Sequence, residues 1–121
     1  MAGKRTSRPR PPADLSEIGR VEFHRVVGVL EAGGRLETAD PALIEVYART
    51  YDAFRAAAAR VSSDGAVVTH PNDTRSVSPD FKVMQALARL LRGLLRDLGL
   101  TPAARAALKV GEAGEPEGVE V

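Results

Sequence analysis

The sequence predicts a mainly α-helical fold: an antiparallel hairpin or bundle of three main helices plus a short C-terminal helix, with a small β-hairpin or extended loop between helices two and three. Three observations carry this reading. Apolar residues recur at steps of three and four along three separate stretches. Two of those stretches open on a capping residue followed by proline, Asp40-Pro41 and Ser78-Pro79. Glycines close them, at Gly33-Gly34, Gly65 and Gly99.

Helix one is predicted over Glu17 to Ala32. Ser16 supplies the N-cap and Glu17 an acid in the first turn. Ile18, Phe23, Val26, Val27 and Leu30 form its apolar side. Gly19 and Gly28 each weaken it by about 1 kcal/mol relative to alanine, so packing must hold it. Helix two is predicted from Pro41 to about Ser62, roughly 33 Å long. Ile44, Tyr47, Tyr51, Phe54, Ala58 and Val61 alternate along it in a heptad-like stripe. Ser63-Asp64-Gly65 breaks it. Val67-Val68-Thr69 is β-prone, and Pro71-Asn72-Asp73-Thr74 is turn chemistry. A lone two-stranded hairpin is marginal, so this one must lean on the helices or on a neighbour. Helix three starts at Ser78-Pro79 and carries Val83, Met84, Leu87, Leu90, Leu91, Leu94, Leu95 and Leu98 before Gly99. Thr101-Pro102 opens the short last helix, to about Lys109.

Charge is distributed unevenly although the net is only +1. Residues 1–13 hold Lys4, Arg5, Arg8 and Arg10, three prolines and no acid; residues 111–121 hold four glutamates, three glycines and no base. Neither end has the apolar surface to offset chain entropy. The expected organisation is a basic flexible head (1–13), a helical domain (14–110) and an acidic flexible tail (111–121). There is no cysteine, hence no disulfide framework or thiolate chemistry. No apolar run approaches the ~20 residues of a membrane span, and no apolar segment follows the basic head as in a signal peptide. A soluble intracellular protein is expected.

No enzyme signature is present. His24 and His70 fall on different elements. Glu22, Arg25 and Glu31 around His24 read as a solvated helix face, with no second histidine or cysteine a turn away to make a metal site. His70, before Pro71, reads as a turn residue. Gly33-Gly34 lacks the lysine and spacing of a phosphate loop. Ser62 and Ser63 have no histidine to activate them. No catalytic residue, metal or cofactor is expected.

Binding residues are better represented. Lys4, Arg5, Arg8 and Arg10 can each neutralise a phosphate, weakly from one chain and more strongly from several held together. Arg89, Arg92 and Arg96, with Lys82, form a second basic set on helix three. It reads either as a phosphate contact or as a solvated face shared with Asp97. The turn before Thr101 matches a helix-turn-helix joint in length only, and Arg105 and Lys109 are the sole readers on its second helix. A chain this short has few partners to cover a long helix two and a leucine-rich helix three. Self-association through Ile44, Tyr47, Tyr51, Phe54, Leu87, Leu91 and Leu94 would bury what remains, the alternative being a monomeric bundle.

Taken in order, these features resemble one large family of phage terminase small subunits. The resemblance runs through Arg8-Pro9-Arg10-Pro11-Pro12, Leu15-Ser16, Phe23, Leu36, Asp40, Tyr47, Tyr51, Gly65 and Ser78-Pro79. It is most specific in Gly99-Leu100-Thr101-Pro102 through Val110, and it spans about 8 to 110. The family often has serine at the position of Ala103 or Ala104 and tryptophan at that of Phe23. The resemblance implies a non-catalytic, ring-forming protein in the cytoplasm of the bacterial host. It would bind double-stranded viral DNA at the start of packaging and present it to the terminase large subunit, which carries the ATPase and nuclease. Two other classes fit the elements less well. A small helical transcription regulator or antitoxin would need a stronger basic recognition helix, and a virion adaptor would bind protein only.

Overall fold

The computed structural model describes residues 8–101. It consists of α1 (Glu17–Ala32), a 3₁₀ turn (Leu36–Thr38), α2 (Pro41–Asp64), β1 (Val67–Thr69), β2 (Arg75–Val77) and α3 (Pro79–Asp97). The three helices and the hairpin between the second and third match the predicted fold class. The short helix expected over 102–109 lies outside the described residues, as do Lys4 and Arg5.

The starts and stops follow from the residues singled out in the sequence. Ser16 accepts from the Gly19 N–H, Asp40 from Ala42 and Ser78 from Asp80 and Phe81, each side chain satisfying a backbone donor that the helix leaves free. α1 and α3 end in the same device. Gly34 and Gly99 take φ of +72° and +74°. Arg35 N–H then reaches Leu30 O, and Leu100 N–H reaches Leu95 O, each at 2.8 Å. The second bond of each motif runs from Gly34 to Glu31 and from Gly99 to Arg96, at 3.0 Å. The two ends are tied together, because the Arg35 guanidinium donates to the Gly99 carbonyl at 3.0 Å. α2 runs two residues past its predicted end, to Asp64, and stops where Gly65 adopts φ +90°.

α2 is the axis of the fold. α1 lies antiparallel along its first half: Ser16 meets Asp52, and Glu22 meets Tyr47. α3 returns along α2 from the far end, where Arg60 donates to Asp80 at 2.8 Å. The core forms where all three converge. Phe23, Val26, Val27 and Leu30 of α1 pack with Ile44, Tyr47 and Ala48 of α2 and with Leu91 and Leu98 on the α3 side. Leu15, just before α1, closes its edge.

Two details of α1 correct the sequence reading. Glu22 is not on a solvated face: it is 7% exposed, because its position on the helix turns it toward α2. There it accepts from Tyr47 Oη at 2.6 Å and from Arg25 Nε and Nη2 at 2.9 and 2.7 Å. Gly19 does more than weaken a helix. A Cβ there would lie 2.9 Å from Asp52 Cγ, so the glycine is what lets α1 approach α2 closely. Asp52 uses that proximity to accept from both the backbone N–H and the hydroxyl of Ser16.

β1 and β2 pair antiparallel, Val67 opposite Val77 and Thr69 opposite Arg75. The loop holds itself. His70 N–H donates to Thr74 O, Asn72 Oδ1 accepts from both the Thr74 N–H and hydroxyl, and Asp73 takes φ +68°. His70 Nε2 and Ser76 Oγ are 2.8 Å apart, which keeps this histidine in the turn role expected of it. Every strand residue is exposed, so the hairpin buries little against the helices of its own chain.

Candidate nucleic-acid interface

The best-defined cationic surface is on α3, and the rotation of that helix creates it. Leu91 and Leu98 turn inward and set the buried direction. At 100° per residue, Lys82, Arg89 and Arg96 lie roughly 140–180° around the axis from Leu91, and Arg92 about 100°. All four are exposed. They span about 21 Å of helix, at 1.5 Å per residue. Among the described residues no acid forms an ion pair with any of them. Asp97, the acid expected to share this face, does not pair with them either. The acid at the other end of α3, Asp80, is already held by Arg60.

The head is represented by two of its four cations. Arg8 pairs with Glu31 at the end of α1, and Arg10 is exposed.

Charges elsewhere are largely spoken for. Asp14 accepts a two-pronged bond from Arg49 at 2.9 and 3.1 Å, which holds its carboxyl below the usual aspartate range; Arg49 also bonds Glu45 at 2.9 Å. Burial pushes the Glu22 carboxyl up, but the hydrogen bonds from Arg25 and Tyr47 outweigh it and the net shift is downward. The same arrangement raises the Tyr47 phenol, through burial first and the Glu22 hydrogen bond second. A shallow open groove between the start of α1 and α2 is lined by Asp14, Ser16, Arg49 and Asp52. Their polar groups are bonded to one another in two pairs, Asp14 with Arg49 and Ser16 with Asp52. Among the described residues there is no group of three metal-ligating side chains. No described helix is long and apolar enough to cross a membrane.

The residues expected to bury between copies divide into two sets. Ile44, Tyr47 and Leu91 fill the core of the protomer itself, at 0%, 3% and 8% exposure. Tyr51, Phe54, Leu87 and Leu94 are half-buried. Tyr51 stacks on Tyr47, and its hydroxyl accepts from Arg55 at 3.0 Å. The apolar side chains most open on α3 are Val83 and Leu90, at 47% and 57% exposure, and sequence reasoning left them out of the set. With Leu87 and Leu94 they form a stripe at spacings of four, three and four, flanking the basic face. A signal for them was available. A helix that covers one neighbour needs an apolar stripe about 100° wide, and the apolar residues of α3 exceed it.

A family model described as phage terminase, small subunit, matches residues 19–115. The chain belongs to that family. The match covers most of the chain, from within α1 to beyond α3, and it supports the resemblance read from the sequence. A terminase small subunit has a role in phage DNA packaging, generally as the non-catalytic, regulatory part of the machinery. No curated protein and no solved structure matches the chain significantly.

Proposed function

We propose that this terminase small subunit assembles into a many-subunit ring in the host cytoplasm, engages double-stranded phage DNA at the start of packaging, and presents it to the large subunit. The observation that carries the reading is the α3 face. In a packaging protein, Lys82, Arg89, Arg92 and Arg96 project away from the core with no acidic partner among the described residues. Each can replace a condensed counterion on a phosphate, so binding should be tolerant of sequence and steeply salt-dependent. A ring multiplies a weak face by the number of subunits, which is how a few contacts per chain become useful. The basic head, Lys4, Arg5, Arg8 and Arg10, adds to the same electrostatic term. The stripe Val83, Leu87, Leu90 and Leu94, together with Tyr51 and Phe54, supplies apolar surface for assembly.

Native mass spectrometry of the full chain tests assembly, with a many-subunit species expected and a monomer at micromolar concentration overturning it. Leu90→Glu should shift that species toward monomer while leaving the helical circular dichroism unchanged. Fluorescence anisotropy with a labelled duplex across a salt series tests DNA engagement. Affinity that does not fall with salt would overturn it.

A further inference from the structure

Residues 111–121 carry Glu112, Glu115, Glu117 and Glu120 without a base, and the α3 face carries four cations with which no described acid forms an ion pair. We propose that the acidic segment 111–121 lies across the α3 basic face of its own chain and competes there with nucleic-acid phosphate. The charges match four to four. The position favours it as well, because the turn at Gly99 and Leu100 closes on Leu95 and Arg96, so the chain sets out toward the segment from beside the basic face. The lengths agree: Lys82 to Arg96 covers about 21 Å of helix, and eleven residues of extended chain reach about 36 Å. The other cationic candidate is less open, since Arg8 of the head already pairs with Glu31.

Such a contact is reversible by construction. Exposed ion pairs are individually weak and are screened by salt. Duplex DNA carries a denser line of charge and displaces the segment once it is held close by several subunits. The result is a threshold: a single chain meeting DNA in passing is discouraged, and an assembled array is not. The competition rests on the reading of α3 as a DNA face. The contact itself does not, so it is measured without nucleic acid.

The full chain carrying Arg92→Lys is treated with a water-soluble carbodiimide, which joins a lysine amine to a carboxylate with loss of water. The chain's own lysines are Lys4, Lys82 and Lys109. Peptide mapping should find the tail glutamates joined to the amine at position 92 and to Lys82. In an equal mixture of light and heavy-isotope chains the links should fall within one chain. Links confined to Lys4 or Lys109, or running between chains, would overturn the contact. In a second arm, the four tail glutamates are changed to Gln in the full chain. Duplex affinity should rise about tenfold at low salt and converge with the parent at high salt. Saturating duplex should reduce the crosslinks of the first arm, since two ligands of one face exclude each other reciprocally. Crosslinks on α3 with affinity unchanged would overturn the competition. A parent chain with no affinity for DNA would overturn the DNA reading, leaving the crosslinks to decide the contact.

Discussion

The junction of α1 with α2 and the outer face of α3 are both rich in charge, and they use it in opposite ways. At the junction, Glu22 meets Arg25 and Tyr47, Asp14 meets Arg49, and Asp52 meets Ser16. On α3, Lys82, Arg89, Arg92 and Arg96 face solvent, and among the described residues no acid forms an ion pair with them. Charge that is paired within the protomer fixes how two helices sit. Charge left open is available to something outside it. Substitutions in the two regions should therefore move different observables, binding in one and folding in the other.

The largest separation is expected on α3. Changing Arg89, Arg92 and Arg96 together to Gln should lower duplex affinity roughly a hundredfold at low salt and reduce the slope of log affinity against log salt by about three. The thermal midpoint should move little, because exposed substitutions away from packing usually stay within about 0.5 kcal/mol. A large loss of stability with unchanged affinity would reverse the assignment of the two regions.

At the junction the expectation is inverted. Glu22→Gln should cost about 2 kcal/mol of stability, since a buried Tyr47 hydroxyl and the Arg25 guanidinium lose a charged acceptor, and DNA affinity should not change. The folded Glu22 carboxyl titrates below its ordinary value of 4.5. Its contribution is therefore complete above the unfolded value and is lost as pH falls through the folded one. Denaturation midpoints of parent and variant should differ at neutral pH and converge in acid below that value. A gap independent of pH would show that the carboxylate charge is not what matters.

The elements were legible in the sequence because caps, prolines and glycines act locally. Ser16, Asp40, Ser78, Gly34 and Gly99 each perform the role their residue type implies. What stayed hidden depends on how helices are turned toward one another. Nothing within α1 says that Glu22 faces Tyr47, twenty-five positions on. Likewise the apolar list on α3 does not say which leucine α2 covers. Leu91 is inside and Leu90, one residue earlier and 100° away, is outside. The basic set was legible by spacing, but that it is turned to solvent, with Arg92 nearer the buried side than the other three, and that Asp97 leaves it unpaired, needed the packed structure.

The two glycines of α1 sharpen the same lesson, because propensity alone treats them as equals. Gly19→Ala should destabilise by about 1–2 kcal/mol. The new Cβ would meet Asp52 Cγ at 2.9 Å and Cβ at 3.1 Å, and Asp52 cannot swing away without releasing Ser16. The gain in helix propensity, about 1 kcal/mol, offsets only part of this. Chemical denaturation of the full chain measures it, and a stabilised variant would mean that α1 does not approach α2 so closely.

Gly28→Ala is the counterpart and the smallest effect. Beyond the adjoining residues and the helix's own backbone, no heavy atom lies within 4 Å of a Cβ built at that position, and the residue sits in the interior of α1. Here the propensity argument stands unopposed: the alanine restricts the unfolded chain and meets nothing in the folded one. Stability should rise by about 0.5–1 kcal/mol, with DNA affinity and assembly unchanged. If assembly weakened instead, the open space beside Gly28 would belong to a neighbouring subunit. The glycine would then do between chains what Gly19 does within one.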